Sequence, residues 1–288
     1  MGYFYLISAV LSMGASSLLG TAYSRRTTDR KNAVSLYNLM LVITVLVFWA
    51  ILWLRDFSFE AGVLWYSLGF GVSYAAATVG FIFALACGPT ALTGLFMQLS
   101  LIATTVWGLF FWNSRLTLFV FIGLALAVVS LVLCLYQKSS KGERITAKWL
   151  IFALIAFLGN TGCTVVQRTQ QMVYAGKHGN MMMFFGVVCA LVVCIVLYVK
   201  QPAEAPVAIA KKSGLFPILA GVFNAMQNLL VILLASTALD PSLIYPVLSI
   251  GYLAITSIGA KLLFGERLSI RQWAGIAIGA VAVALLSI

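Results

Sequence analysis

An all-α integral membrane protein, ten transmembrane helices arranged as two inverted five-helix repeats, is what this sequence predicts, on three observations. The chain is 62% hydrophobic and 9% charged, against roughly 45–50% apolar and about 25% charged in soluble domains, so it cannot cover itself in water. Apolar runs of about 20 residues fill nearly the whole chain, and that length crosses a hydrocarbon core of roughly 30 Å at about 1.5 Å per residue. Finally, the end of the chain copies a stretch 152 residues upstream without a gap.

The runs place helices at 3–23, 34–54, 62–86, 89–111, 117–136, 148–167, 180–199, 214–237, 241–264 and 270–288. The first lacks a basic leader and is longer than a signal-peptide core, so it is expected to be retained. The fourth and ninth open on Pro89 and Pro241, where a missing N–H costs nothing, with Gly88 and Asp240 as the preceding caps. Trp49, Trp65 and Trp149, near helix ends, are expected at the membrane interface.

The copy pairs Pro89 with Pro241, Leu101 with Leu253, Thr104 with Thr256, Arg115 with Arg267, Gly123 with Gly275, Ala125 with Ala277, Val129 with Val281 and Leu133 with Leu285. At an offset near 145 the earlier helices match more loosely, Gly14 over Gly159. The unit is therefore five helices: residues 1–137 form the first repeat, 138–147 a connection and 148–288 the second. Because five is odd, the second copy enters the membrane from the opposite side, about a pseudo-two-fold axis in the membrane plane.

Loop charge agrees with that inversion. Of the 18 Lys and Arg, 14 fall in or beside the odd-numbered loops and four in the even ones, Arg55, Arg115, Arg168 and Lys177. The positive-inside rule then sets the odd loops in the cytoplasm and both termini outside a cell membrane.

The net charge of +11 belongs to these loops, which points to anionic lipid headgroups and not to nucleic acid. Five cysteines without CxxC spacing and a single histidine offer no zinc site or disulfide framework, so no metal or cofactor is expected. His178, in "AGKHGN", has no acidic neighbour, and no catalytic motif appears, so an enzyme is not expected.

The stretch "DPSLIYPVLSIGYLAITSIGAKLLFGERLSIRQWAGIAIGAVAVALLS" resembles the signature half of the EamA-like branch of the drug/metabolite transporter superfamily, where a proline-initiated helix ends in a Gly-Glu-Arg-Leu turn before a glycine-rich final helix. A weaker likeness covers the whole chain as five plus five helices. The resemblance implies a carrier for amino acids, purines, drugs or other metabolites, or an exchanger of sugar phosphates or nucleotide sugars. Two features depart from the pattern: Ser114 stands where the second copy has Glu266, and family members are usually drawn with both termini in the cytoplasm. Related small multidrug exporters use a membrane-embedded glutamate that has no counterpart here.

No charged side chain is expected near the middle of any helix, so a site would be built from neutral polar groups. On the ninth helix Tyr245, Ser249, Tyr252 and Thr256 recur at i, i+4, i+7 and i+11. The repeat maps that face onto Thr93, Met97, Ser100 and Thr104, beside Gln98, and the two faces are expected to meet. Asn224, Gln227 and Asn228 cluster on the eighth helix, and Asn160, Thr161 and Thr164 on the sixth, opposite Ser12 and Ser16 of the first. Tyr74 completes the set. Ser and Thr also pack membrane helices together. Three amides on one face exceed what packing needs, and unpaired in lipid each would cost several kcal/mol.

Such groups suit a neutral or zwitterionic solute, amino-acid or nucleobase-like, carried by alternating access in the export direction, by a monomer or homodimer. The alternatives are a lipid or lipid-linked-sugar flippase and a multidrug exporter. Phosphorylated solutes fit less well without a midplane cation.

Overall fold

The computed structural model describes residues 1–27, 29–87, 90–112, 117–135, 146–265 and 269–286. Pro89, Gly88, Ser114, Arg115, Glu266, Arg267 and most of the expected connection at 138–147 lie outside them. Among the described residues there are eleven helices and no strand: α1 (Gly2–Arg26), α2 (Ala33–Arg55), α3 (Val63–Cys87), α4 (Thr90–Phe111), α5 (Leu118–Leu135), α6 (Ala147–Val173), α7 (Gly179–Lys200), α8 (Pro206–Ser213), α9 (Leu215–Ala235), α10 (Pro241–Phe264) and α11 (Ile270–Leu286). Eight are long and apolar enough to cross a membrane, α5 and α11 being shorter apolar helices. This is the build of a multi-pass membrane protein, with side chains such as Phe4, Phe110 and Leu262 turned outward.

Each expected helix has a counterpart, and α8 is an addition. Asp240 caps α10 as expected, its carboxylate accepting from the Ser242 N–H at 2.8 Å ahead of Pro241. The sixth helix departs from expectation, since α6 runs past 167 to Val173. The segment Gln167-Arg168-Thr169-Gln170-Gln171 reads as the start of a loop because it is polar, but it contains no glycine or proline and its residues tolerate a helix well. The helix stops where Ala175 and Gly176 turn left-handed (φ 50° and 79°) and the Gly176 N–H reaches back to the Gln171 carbonyl at 2.8 Å. Arg168 therefore lies inside a helix and not in the loop to which its charge was assigned.

The chain divides into two compact units, with boundaries after Gly2, within α3, within α6 and after Ser236. The first contains residues 1–2, 73–166 and 237–288; the second contains 3–72 and 167–236. Each unit draws on both halves of the sequence.

In the first unit α5 packs on α11 and α4 on α10. A Cβ on Gly123 would press on Leu286 and the Ala282 carbonyl, and one on Gly275 would press on Cys134 and the Ser130 carbonyl. The start of each helix thus meets the end of the other, and the Ser130 hydroxyl donates to the Gly275 carbonyl at 2.7 Å. Pro246, inside α10, withholds the usual donor from the Ser242 carbonyl.

In the second unit α2 packs on α7 and α9. Left-handed residues precede α2 (Asn32, φ 54°) and α7 (His178, φ 61°), 146 residues apart. The α1–α2 and α7–α8 connections join: Ser35 donates to the Gln201 carbonyl at 2.7 Å, and the Glu204 N–H to the Lys31 carbonyl at 3.1 Å. The α2–α3 and α6–α7 connections join through His178 Nδ1 and Ser58 Oγ at 2.9 Å.

Two tryptophans correct the sequence reading. Trp49 is fully buried, and Trp149, 2% exposed, donates from Nε1 to Thr93 Oγ1 at 3.0 Å. Both side chains belong to the core, whereas Trp65 is exposed.

Candidate functional site

The first unit contains a polar seam between α4 and α6. Asn160 Nδ2 donates to Ser100 Oγ at 2.6 Å, the Thr161 hydroxyl donates to the Ser100 carbonyl at 3.2 Å, and the Thr104 and Thr164 hydroxyls lie 2.6 Å apart. With Trp149 on Thr93, the three polar residues of the expected α4 face, Thr93, Ser100 and Thr104, each bond to α6. Gln98, a little to the side, is the α4 residue that meets α10, where the Ser249 hydroxyl donates to its carbonyl and to its Oε1 at 3.1 and 3.2 Å. Gln98 and Ser249 thus tie α4 to α10. Further along α10, Tyr245 is buried with its ring 6.3 Å from that of Trp112, Tyr252 packs on the apolar core, and Thr256 bonds back to the Tyr252 carbonyl. Tyr74 is half-buried on α3.

Glycines bring α3 and α6 together in the same unit. Cβ atoms on Gly80 and Gly159 would collide with the backbone of the opposite helix, and one on Gly162 would lie 2.6 Å from Ser73 Oγ. This is the close approach that small residues allow between membrane helices.

The second unit contains a chain of amides. Gln167 Nε2 on α6 donates to Asn228 Oδ1 on α9 at 3.0 Å and approaches Met183 Sδ at 3.3 Å. Asn228 Nδ2 in turn donates to the Asn224 carbonyl at 2.9 Å. Both groups of Asn228 are thus engaged, while Asn224 and Gln227 are half-exposed residues, and Asn224 Nδ2 and the Gln227 carboxamide have no hydrogen-bond partner among the described residues. Gln170 and Gln171 are buried, bonded to each other, and Gln170 Nε2 ties to the Lys177 carbonyl at 2.9 Å. Ser16, expected opposite Asn160, instead donates to the Ala220 carbonyl on α9 at 3.0 Å.

Sequence reasoning missed Gln167, Gln170 and Gln171. The signal was available: Asn160, Thr164, Gln167 and Gln171 stand at i, i+4, i+7 and i+11, one stripe along α6. Among the described residues no group of His, Cys, Asp and Glu could hold a metal ion.

Fold and polar groups together define a helical multi-pass membrane protein with carboxamides set within its apolar helices. No protein-family profile and no curated protein matches the chain. Among solved structures 29 chains match. One, a crystallised protein, superimposes with a TM-score of 0.77 over 99% of this chain and 95% of its own, at 14% sequence identity. At that identity the likeness shows the fold alone.

Proposed function

We propose that this protein is a secondary transporter of the EamA-like drug/metabolite type that exports a small neutral or zwitterionic metabolite, amino-acid or nucleobase-like, by alternating access. The observation that carries this reading is the amide cluster of α6 and α9. Asn224 and Asn228 stand in the middle of a helix apolar enough to span a membrane. Asn228 is held in place by Gln167, while Asn224 Nδ2 and Gln227 keep donors and acceptors to offer. Amides left open at that depth need water or a solute, because lipid satisfies neither. Fixed dipoles at a few positions suit a solute that carries hydrogen-bonding groups without large net charge.

Ten crossings and an inverted duplication complete the reading, with support from two features. First, the joined connections have the same parity. The α1–α2 connection meets α7–α8, the α2–α3 connection meets α6–α7, and Gly2 packs on Leu239 in the α9–α10 connection. An even number of crossings separates each pair when every helix but α8 spans. Second, the α5–α11 contact is reciprocal: Gly123 faces 282 and 286, and adding or subtracting 152 turns this into Gly275 facing 130 and 134. Two copies related by a two-fold axis make such isologous contacts. The basic odd loops then orient both termini outward.

Thermal unfolding of the purified protein tests the proposal, across amino acids, nucleobases, quaternary ammonium cations, sugar phosphates and lipids. A solute at a hundredfold excess over its dissociation constant adds about 2.7 kcal/mol of apparent stability. The expected responders are neutral or zwitterionic metabolites, with the response lost in Gln227→Ala. A response to hydrophobic cations alone, or to lipids alone, contradicts it.

A further inference from the structure

We propose that the inward face of α4 at Gly94 is a contact surface for the transported solute, with the Gln98 side-chain N–H as the donor that meets an acceptor oxygen on it; this rests on the carrier reading above. The outward side of α4 is marked by Val106, Trp107 and Phe110, which are 41%, 40% and 77% exposed. Gly94 stands on the other side, in register with the buried Gln98, Leu101 and Thr105 at i+4, i+7 and i+11. Side chains in that register normally find neighbours.

At Gly94 there is a gap. Among the described residues a Cβ there would meet nothing within 4 Å, whereas the helical Gly80, Gly123, Gly159, Gly162 and Gly275 would each drive one into a neighbouring helix at under 3.0 Å. Those glycines are explained by packing and Gly94 is not. Gly94 is itself half-exposed on this inward side, so the space beside it is open.

Gln98 supplies the second observation. It is 8% exposed, and its Oε1 and carbonyl accept from Ser249, but its Nε2 has no acceptor among the described residues. Gln98 stands one helical turn beyond Gly94 on the same face of α4. That donor is left free to bond, and a carbonyl or carboxylate oxygen of the solute is the acceptor that would meet it. The missing Cβ lets that solute approach the α4 backbone closely.

Cysteine chemistry tests this in native membranes, with the five native cysteines replaced by alanine. Gly94→Cys is expected to react with a charged, water-soluble methanethiosulfonate and Phe110→Cys is not. The amino acids or nucleobases that stabilise the wild type are expected to slow that reaction. Gly94→Leu is expected to keep the melting temperature of the unliganded protein and to lose its rise with those solutes. No reaction at Gly94→Cys, a reaction that the solutes do not slow, or a Gly94→Leu variant that responds like wild type overturns the contact and leaves the carrier reading intact. A wild type that no solute stabilises overturns the carrier reading and the contact with it, even if Gly94→Cys is labelled.

Discussion

Asn228 is the hinge of the amide chain, accepting from Gln167 and donating to the Asn224 carbonyl. Replacing it with leucine leaves Gln167 Nε2 only the weak Met183 sulfur. An interior donor stranded in this way costs about 1–3 kcal/mol, so Asn228→Leu should lower the melting temperature and abolish the response to solute together. Thr104 provides the contrast. Its hydroxyl lies against Thr164 in the α4–α6 seam, and interhelical bonds of this kind average about 0.6 kcal/mol in membranes. Thr104→Val should cost about that much in unfolding experiments and leave the solute response in place. At this scale the sequence was informative about residue type and poor about direction. The spacing of Asn224, Gln227 and Asn228 was readable. That Ser100 turns to Asn160, and that Trp149 turns inward to Thr93, depends on which neighbour each helix meets, and hydrophobic pattern does not encode this.

Helices α5 and α11 are the shorter apolar pair, and they depend on each other through glycine. A side chain at Gly275 has to displace both Cys134 and the α5 backbone. Overpacking costs roughly 1–3 kcal/mol when the surroundings can shift, and backbone shifts less readily than a side-chain tip. Gly275→Val should therefore lower the melting temperature by several degrees, and Gly123→Val should do the same through Leu286, whereas Gly94→Val should be mild. The gapless repeat made the correspondence of Gly123 and Gly275 legible beforehand. It did not say that the two helices would run against one another so that each glycine meets the far end of the other copy. The length of α6 was misjudged for a different reason: polarity marks exposure to water or to polar neighbours, and a polar run on a helix inside a polar cluster looks the same in sequence as a loop.

Along the described residues, the order of the apolar helices could be read directly, because burial in lipid requires an unbroken run of apolar residues. How the helices group could not. Each compact unit combines helices from both halves, and long-range pairing of this sort leaves no local pattern. The parity of the joined connections and the basic odd loops together predict that a water-soluble reagent outside intact cells reaches a cysteine at Lys177 and not one at Lys212. Reaction at Lys212→Cys alone would invert the orientation.

Transport itself tests the central claim most directly. Purified protein in liposomes loaded with an unlabelled solute that raises its melting temperature should drive accumulation of the labelled solute from outside, saturably. Gln227→Ala should lose that exchange while remaining folded. Accumulation no faster than in protein-free liposomes, for every solute that binds, would contradict a carrier.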